Sequence, residues 1–216
     1  MNVLIAIVVI PCSLMASIGR SAPLQQQTPK SSALVEDPDF QELVERSRSL
    51  ALKILQSIPD THKSCIHSQN TLQLNSPDNL RFEFMANSIG IPPTPVVTPV
   101  SENFSLNTSL KNMSEGLHQF SALLSTISER LQNKNKVVEL MSDIKDLTIQ
   151  INKMQKMLHR DSVVQSTPAP VSLHIDGHYE VQLAAHLTLV KLQSFGQDIV
   201  RCLRSLDCSE DENTES

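Results

Sequence analysis

Eight apolar residues, Leu106, Leu110, Met113, Leu117, Phe120, Leu124, Ile127 and Leu131, follow one another in alternating steps of four and three. Only an α-helix puts such a series on one face, because its turn of about 3.6 residues returns to the same side after three or four positions. A stripe of that length must be covered by another element. The cover stands next in the chain: Val137, Leu140, Ile144, Leu147, Ile151, Met154 and Leu158 repeat the pattern after a link of roughly five polar residues, Gln132 to Lys136. So short a link makes the two helices antiparallel neighbours.

Two further stretches carry the same period. Asp37-Pro38 reads as an N-cap followed by a proline at the first helical position, and Phe40, Leu43, Val44, Leu50, Ala51, Ile54 and Ile58 then recur at helical spacing until Pro59. Near the C-terminus Leu192, Phe195, Ile199, Leu203 and Leu206 form a stripe. The preceding half, around Val181 to Val190, is apolar on all sides and suggests burial on more than one side. The expected helices are 39–58, 102–131, 136–159 and 177–206. The first connection needs about 40 residues and the last about 17, both marked by prolines. Two consecutive parallel helices require a strap that runs back along a helix of roughly 30 Å. Long, short, long is therefore the pattern of an all-α, up-up-down-down four-helix bundle with two long crossover loops. Leu80, Phe82, Phe84, Met85 and Ile89 can pack a short helix from the first crossover onto that bundle.

Composition agrees with helices. There is no Trp, one Tyr and only five Gly, whereas a β-sandwich draws on aromatic residues and frequent turn glycines. Residues 1–19 read as a signal peptide: an apolar run from Val3 to Ile10, extended by Leu14 to Ala16, then Ser17-Ile18-Gly19 as small residues before a cleavage at Arg20. The run is broken by Pro11 and Ser13 and is shorter than the about 20 residues a membrane span needs. A secreted, extracellular chain of about 197 residues follows, with no membrane insertion: a flexible segment 20–38, a bundle domain 39–208 and an acidic tail 209–216. The net charge of −5 argues against nucleic acid.

Cys12 leaves with the signal, so Cys65, Cys202 and Cys208 remain, an odd set for an oxidising compartment. Cys65 follows the first helix, at the pole where the last helix begins, while Cys202 and Cys208 lie at the far end, roughly 30 Å along it. A disulfide needs Cα atoms about 4.4–6.8 Å apart, so Cys65 pairs with neither. Cys202 and Cys208 can staple the end of the last helix if the chain turns back after Leu206. The competing reading leaves all three as free thiols.

Within this frame, Gly90-Ile91-Pro92 through Ser114-Glu115-Gly116-Leu117 resembles, without a gap for about 28 residues, the end of the first crossover and the start of the second helix in the granulocyte colony-stimulating factor family. Leu192-Gln193-Ser194-Phe195, with Leu203-Arg204 and Leu206, looks like that family's last helix. Val137, Leu140, Asp143, Ile144, Asp146, Leu147, Ile151 and Leu158 align with its third. The likeness spans nearly all of residues 39–206, and related myelomonocytic growth factors and interleukin-six-like cytokines share it. Mammalian members carry two disulfides; here Cys65 takes the second position of the first pair opposite Pro59, and the second pair falls on Pro99 and Ser109.

The resemblance implies a cytokine, monomeric when free, that binds and dimerises a class I cytokine receptor ectodomain and drives granulocyte or macrophage production. It implies a receptor face on the first and third helices. Asp143 and Asp146 match directly, and on the first helix Glu45 and Arg48 match best, with Arg46 beside them and Glu42 as the alternative one turn away. The bland reading is a solvated charged face. A second receptor contact of the family uses the first crossover and the start of the last helix; around Pro77-Asp78-Asn79-Leu80 it stays unassigned.

Asn103, Asn107 and Asn112 head three glycosylation sequons, of which one or two are expected to be used, Asn103 foremost. No catalytic motif and no cofactor or metal site is read: H-E-x-x-H, G-x-S-x-G and phosphate loops are absent, and His174, Asp176 and His178 are separated by the helix-breaking Gly177. A secreted lipid-carrying helical protein is the alternative class, but the repeat of proline-punctuated amphipathic helices that class uses is not seen.

Overall fold

The computed structural model describes residues 33–67, 71–99, 104–158 and 171–207. Among them all regular structure is helical: α1 Pro38–Cys65, α2 Asn79–Ile89, α3 Leu106–Ser128, α4 Asn135–Leu158 and α5 His178–Arg204. The expected signal peptide, most of the segment 20–38 and the acidic tail lie outside the described residues. The described end of that segment is not loose. Leu34 and Val35 pack against the core, and the Gln41 side chain donates to the carbonyls of both Val35 and Leu206, the latter at 2.9 Å.

α1 begins as its sequence dictates. The Asp37 carboxylate accepts from the Asp39 and Phe40 amides at 2.9 and 3.3 Å, and Pro38 opens the helix where no amide partner is needed. The expected stop at Pro59 is corrected: α1 runs on to Cys65. A proline inside a helix removes one backbone bond, but Pro59 is exposed while Ile58, His62 and Cys65 continue the buried stripe beyond it. Burying an aliphatic side chain contributes about 1.5–3 kcal/mol, so packing on both sides of the proline outweighs the lost bond. α3 starts at Leu106 instead of 102 because Ser105 is extended and caps the Thr108 amide at 3.4 Å. It ends at Ser128, and Leu131 sits in the turn that follows. α4 and α5 agree with the expected limits to within one or two residues.

α1 packs against α4 and α5, α3 against the same two, and α2 against α5. Named contacts fix the registers. Gln41 reaches Leu206, Leu55 covers Gly196 and His62 meets His186. Ser114 bonds Asn152 at 2.8 Å. Phe120 and Phe195 meet with centroids 5.4 Å apart, and Phe40, Phe120 and Phe195 are the largest side chains wholly inside. α5 is buried without interruption from Val181 to Leu189, because α1, α3 and α2 cover its different sides.

α2 is the short crossover helix, but its facing corrects the expectation. Ala86 and Ile89 are buried, Phe82 and Met85 pack partly on the core, and Leu80 and Phe84 point outward, 81% and 79% exposed. It ends at Gly90, whose φ of +89° is left-handed and whose amide reaches Ala86 and Asn87 carbonyls. A Cβ there would stand 2.7 Å from the Ser172 carbonyl oxygen. Both crossovers meet at this point, where the His174 amide donates to Ile89 at 2.8 Å. No helix among the described residues is long and apolar enough to cross a membrane.

Gly116 of α3 lies beneath the Phe195 ring, where a Cβ would be 2.2 Å from the ring. In an open helix Gly→Ala gains up to about 1 kcal/mol; here the overlap reverses the sign. Gly116→Ala should lose about 1–3 kcal/mol in urea denaturation, and adding Phe195→Leu should recover part of it. A neutral or stabilising Gly116→Ala would refute this packing.

Candidate functional site

Exposed charge on the bundle gathers where α1 lies beside α4. Helical spacing turns Asp143 toward α1, and Lys53 of α1 meets it with Nζ to Oδ1 at 2.6 Å. The Asp143 side chain is only 13% exposed, while that of Lys53 is 62% exposed. The hydrogen bond to Asp143, its charge and, more weakly, that of Asp146 hold the Lys53 ammonium above its ordinary pKa. Asp146, one turn further on, remains exposed. The two carboxylates therefore differ: Asp143 is tied to α1, and Asp146 is open to a partner. Leu52 beside Lys53 and Ile149 one turn beyond Asp146 are 41% and 42% exposed, so apolar surface borders the charges.

The α1 residues of the expected face stand further back along the helix. Glu45 and Arg48 pair at 2.9 Å, and Arg48 also reaches Asp207 after α5 at 3.2 Å. Arg46 turns to Glu42 at 2.6 Å. From Glu45 to Lys53 is about 12 Å along the axis, so the five expected residues form two groups, Asp143 with Asp146 and Glu45 with Arg48, and Arg46 belongs to neither. Lys53, which joins α1 to α4, was missed. Its only signal was a cation off the apolar stripe of the first helix, like Arg46 and Arg48, and nothing local to it says that it faces Asp143. Leu55 turns away from this face and packs on Gly196 of α5.

A second exposed patch is the outer face of α2, with Leu80 and Phe84 one turn apart. The ion pair of Asp78 with Arg81 at 3.5 Å and that of Glu83 with Lys191 of α5 flank it. At the pole formed by the end of α1, the α3–α4 link and the start of α5 lies a cleft of about 230 Å³ lined by Cys65, His67, Arg130, Asp176, His178 and Gln182. Arg130 there donates to the Ile175 carbonyl at 2.7 Å. His174 lies against Gly90 instead, apart from Asp176 and His178, which both line the cleft. No group of three His, Cys, Asp or Glu among the described residues is placed to hold a metal.

Of the sequons, Asn103 lies outside the described residues. Asn107 is exposed on the first turn of α3. Asn112 donates its side-chain nitrogen, the atom that would carry a sugar, to the Val96 carbonyl at 2.8 Å. Cys202 is a free buried thiol hydrogen-bonded to Ser109 of α3, the state the competing free-thiol reading expects of it. Cys208 lies outside the described residues. Cys65 is also free and buried, at the opposite pole.

Burial pushes the Cys65 thiol up to about 11 and that of Cys202 up to about 12. Only the thiolate attacks an electrophile. Folded protein at pH 7.5 should therefore leave Cys65 and Cys202 unlabelled by maleimide over minutes, as read by peptide mass, and label both in denaturant. Rapid native labelling of either would contradict the burial described.

No protein-family model matches the chain, and no curated protein matches it in sequence.

Proposed function

We propose that this chain is a secreted haematopoietic cytokine of the granulocyte colony-stimulating factor type, which binds and dimerises a class I cytokine receptor and drives myeloid proliferation and differentiation. One observation carries the reading: the long helices that pack together run in opposite directions. Gln41 with Leu206 and His62 with His186 make α1 and α5 antiparallel. Lys53 with Asp143, and the field of Asp60 on Lys136, do the same for α1 and α4. Gly116 with Phe195 and Ser109 with Cys202 extend it to α3 and α5, and the short link, with Ser114 bonded to Asn152, extends it to α3 and α4. With a short link only between α3 and α4, these directions favour the up-up-down-down arrangement, in which long crossovers join the parallel pairs.

The receptor face is then α1 with α4. Exposed ion pairs contribute little to folding, which leaves Asp146, Lys53 and Glu45 free to serve recognition. A largely buried carboxylate held by a neighbouring lysine beside an open one, with Leu52 and Ile149 at the border, suits a hot spot of charge set in apolar surface. The outer face of α2 is the natural second contact. Nothing in this role calls for catalysis, and we read the protein as a ligand and not an enzyme.

The test is saturable binding to a receptor ectodomain of this type, measured by surface plasmon resonance. Asp146→Arg should weaken it by about 2 kcal/mol or more, roughly thirtyfold, with far-UV circular dichroism unchanged. Lys53→Glu sets three carboxylates together and should weaken binding without unfolding the bundle. Unchanged affinity for the Asp143, Asp146 double reversal would sink the face, and no saturable binding by the parent protein would sink the reading.

A further inference from the structure

Two histidines lie inside the molecule, away from the receptor face. His62 of α1 and His186 of α5 are buried and meet edge to face, with ring centroids 5.2 Å apart. His62 Nε2 is 2.9 Å from His186 Nδ1, and His186 Nε2 is 2.9 Å from Asn79 Oδ1 at the start of α2. The far end fixes the hydrogens. Asn79 Nδ2 donates to the Gln73 and Leu74 carbonyls at 3.1 and 2.7 Å, so its Oδ1 is the acceptor toward His186. His186 Nε2 therefore carries the hydrogen, its Nδ1 is a bare acceptor, and the His62 Nε2–H donates into it. One chain of bonds thus ties α1, α5 and α2.

The chain requires a neutral His186. A proton on Nδ1 would force His62 into its other tautomer to keep the bond and bury a cation without a counter-charge. Among the described residues no counter-charge is seen beside it. From α1 the titratable group facing His186 is His62. From α2 come Asn79 and the Phe82 ring, 6.1 Å away and edge on; its acids Asp78 and Glu83 pair with Arg81 and Lys191. On α5 itself the preceding turn carries Gln182, which accepts from the His67 amide at 3.2 Å.

We propose that the His62–His186–Asn79 chain is an acid-sensitive latch, whose protonation frees α2 from α5 while α1, α3, α4 and α5 stay packed. α2 is suited to leave. It carries two outward apolar residues, packs on α5 through one face, and keeps a hinge at Gly90, where the His174 amide holds Ile89. The long helices keep a core of their own around Phe40, Phe120 and Phe195.

The sign follows from where each state takes up its proton. Burial, and then the neighbouring His62, lower His186 from 6.5 to about 4, and burial lowers His62 as well. A released, solvated histidine binds its proton near 6.5, the latched His186 only near 4. The latched state is unaffected above about 6.5 and loses ground as the pH falls from there to about 4.

Hydrogen exchange of the full chain, read by mass spectrometry from pH 7 to about 4 and corrected for intrinsic rates, tests the latch. Residues 79–89 should lose about tenfold or more of their protection while α3 and α4 keep theirs. Asn79→Ala cuts the chain at a half-buried residue outside the core; in it α2 should exchange fast already at pH 7, with little further change in acid. His186→Phe, if folded, should likewise abolish the acid step. The proposal is overturned if α2 keeps its protection to pH 4, if α3 and α4 lose theirs together with it, or if Asn79→Ala leaves α2 as protected as in the parent.

Discussion

A helix buried on every side has no solvent to satisfy its polar groups, and α5 is such a helix from Val181 to Leu189. Covering it takes three partners. α1 and α3 enclose it from within the bundle, and α2 closes the side that would otherwise face water. The crossover helix therefore exists because α5 is too apolar to be left half open. Its polar members must find bonds inside the protein. Gln182 takes the His67 amide, and His186 takes both His62 and Asn79. Thr188 Oγ1 and Ser47 Oγ find no partner among the described residues, so the polar burial is not perfectly matched.

What could be read in advance follows from which forces act locally. The α3 and α4 stripes, the short link and the Asp37-Pro38 start depend on periodicity and capping, which nearby residues determine. The end of α1 does not. Whether Pro59 stops a helix depends on whether Thr61, His62 and Cys65 have something to pack on, and that surface belongs to residues far away in the chain. The facing of α2 was misjudged for the same reason. Its apolar residues lie on two sides, so Leu80 and Phe84 could be assigned inward until α5 chose Ala86 and Ile89.

The candidate site shows the same division. Helical spacing placed Asp143 and Asp146 near each other, but their difference in burial comes from α1 bringing Lys53 across. Glu45 and Arg48 lie on the expected helix, yet Arg48 is drawn to Asp207 beyond the end of α5. The histidine chain gave no sequence signal, because His186 stands more than a hundred residues from both its partners, on elements that only the fold brings together.

Charge is thus used in opposite ways inside and outside. On the α1–α4 face the pairing of Lys53 with Asp143 keeps its ammonium in solvent, where charge is screened and weak, so the fold depends little on it. Within α5 the polar groups are few, dry and oriented, and a buried hydrogen bond left unmade costs about 1–3 kcal/mol. A single proton at His186 both removes an acceptor and adds a charge there, whereas the same proton on a surface carboxylate changes little. The strain falls on the partner with the least to lose. α1, α3 and α4 are locked by long apolar stripes, but α2 has only one short face against α5, so it is the element that yields.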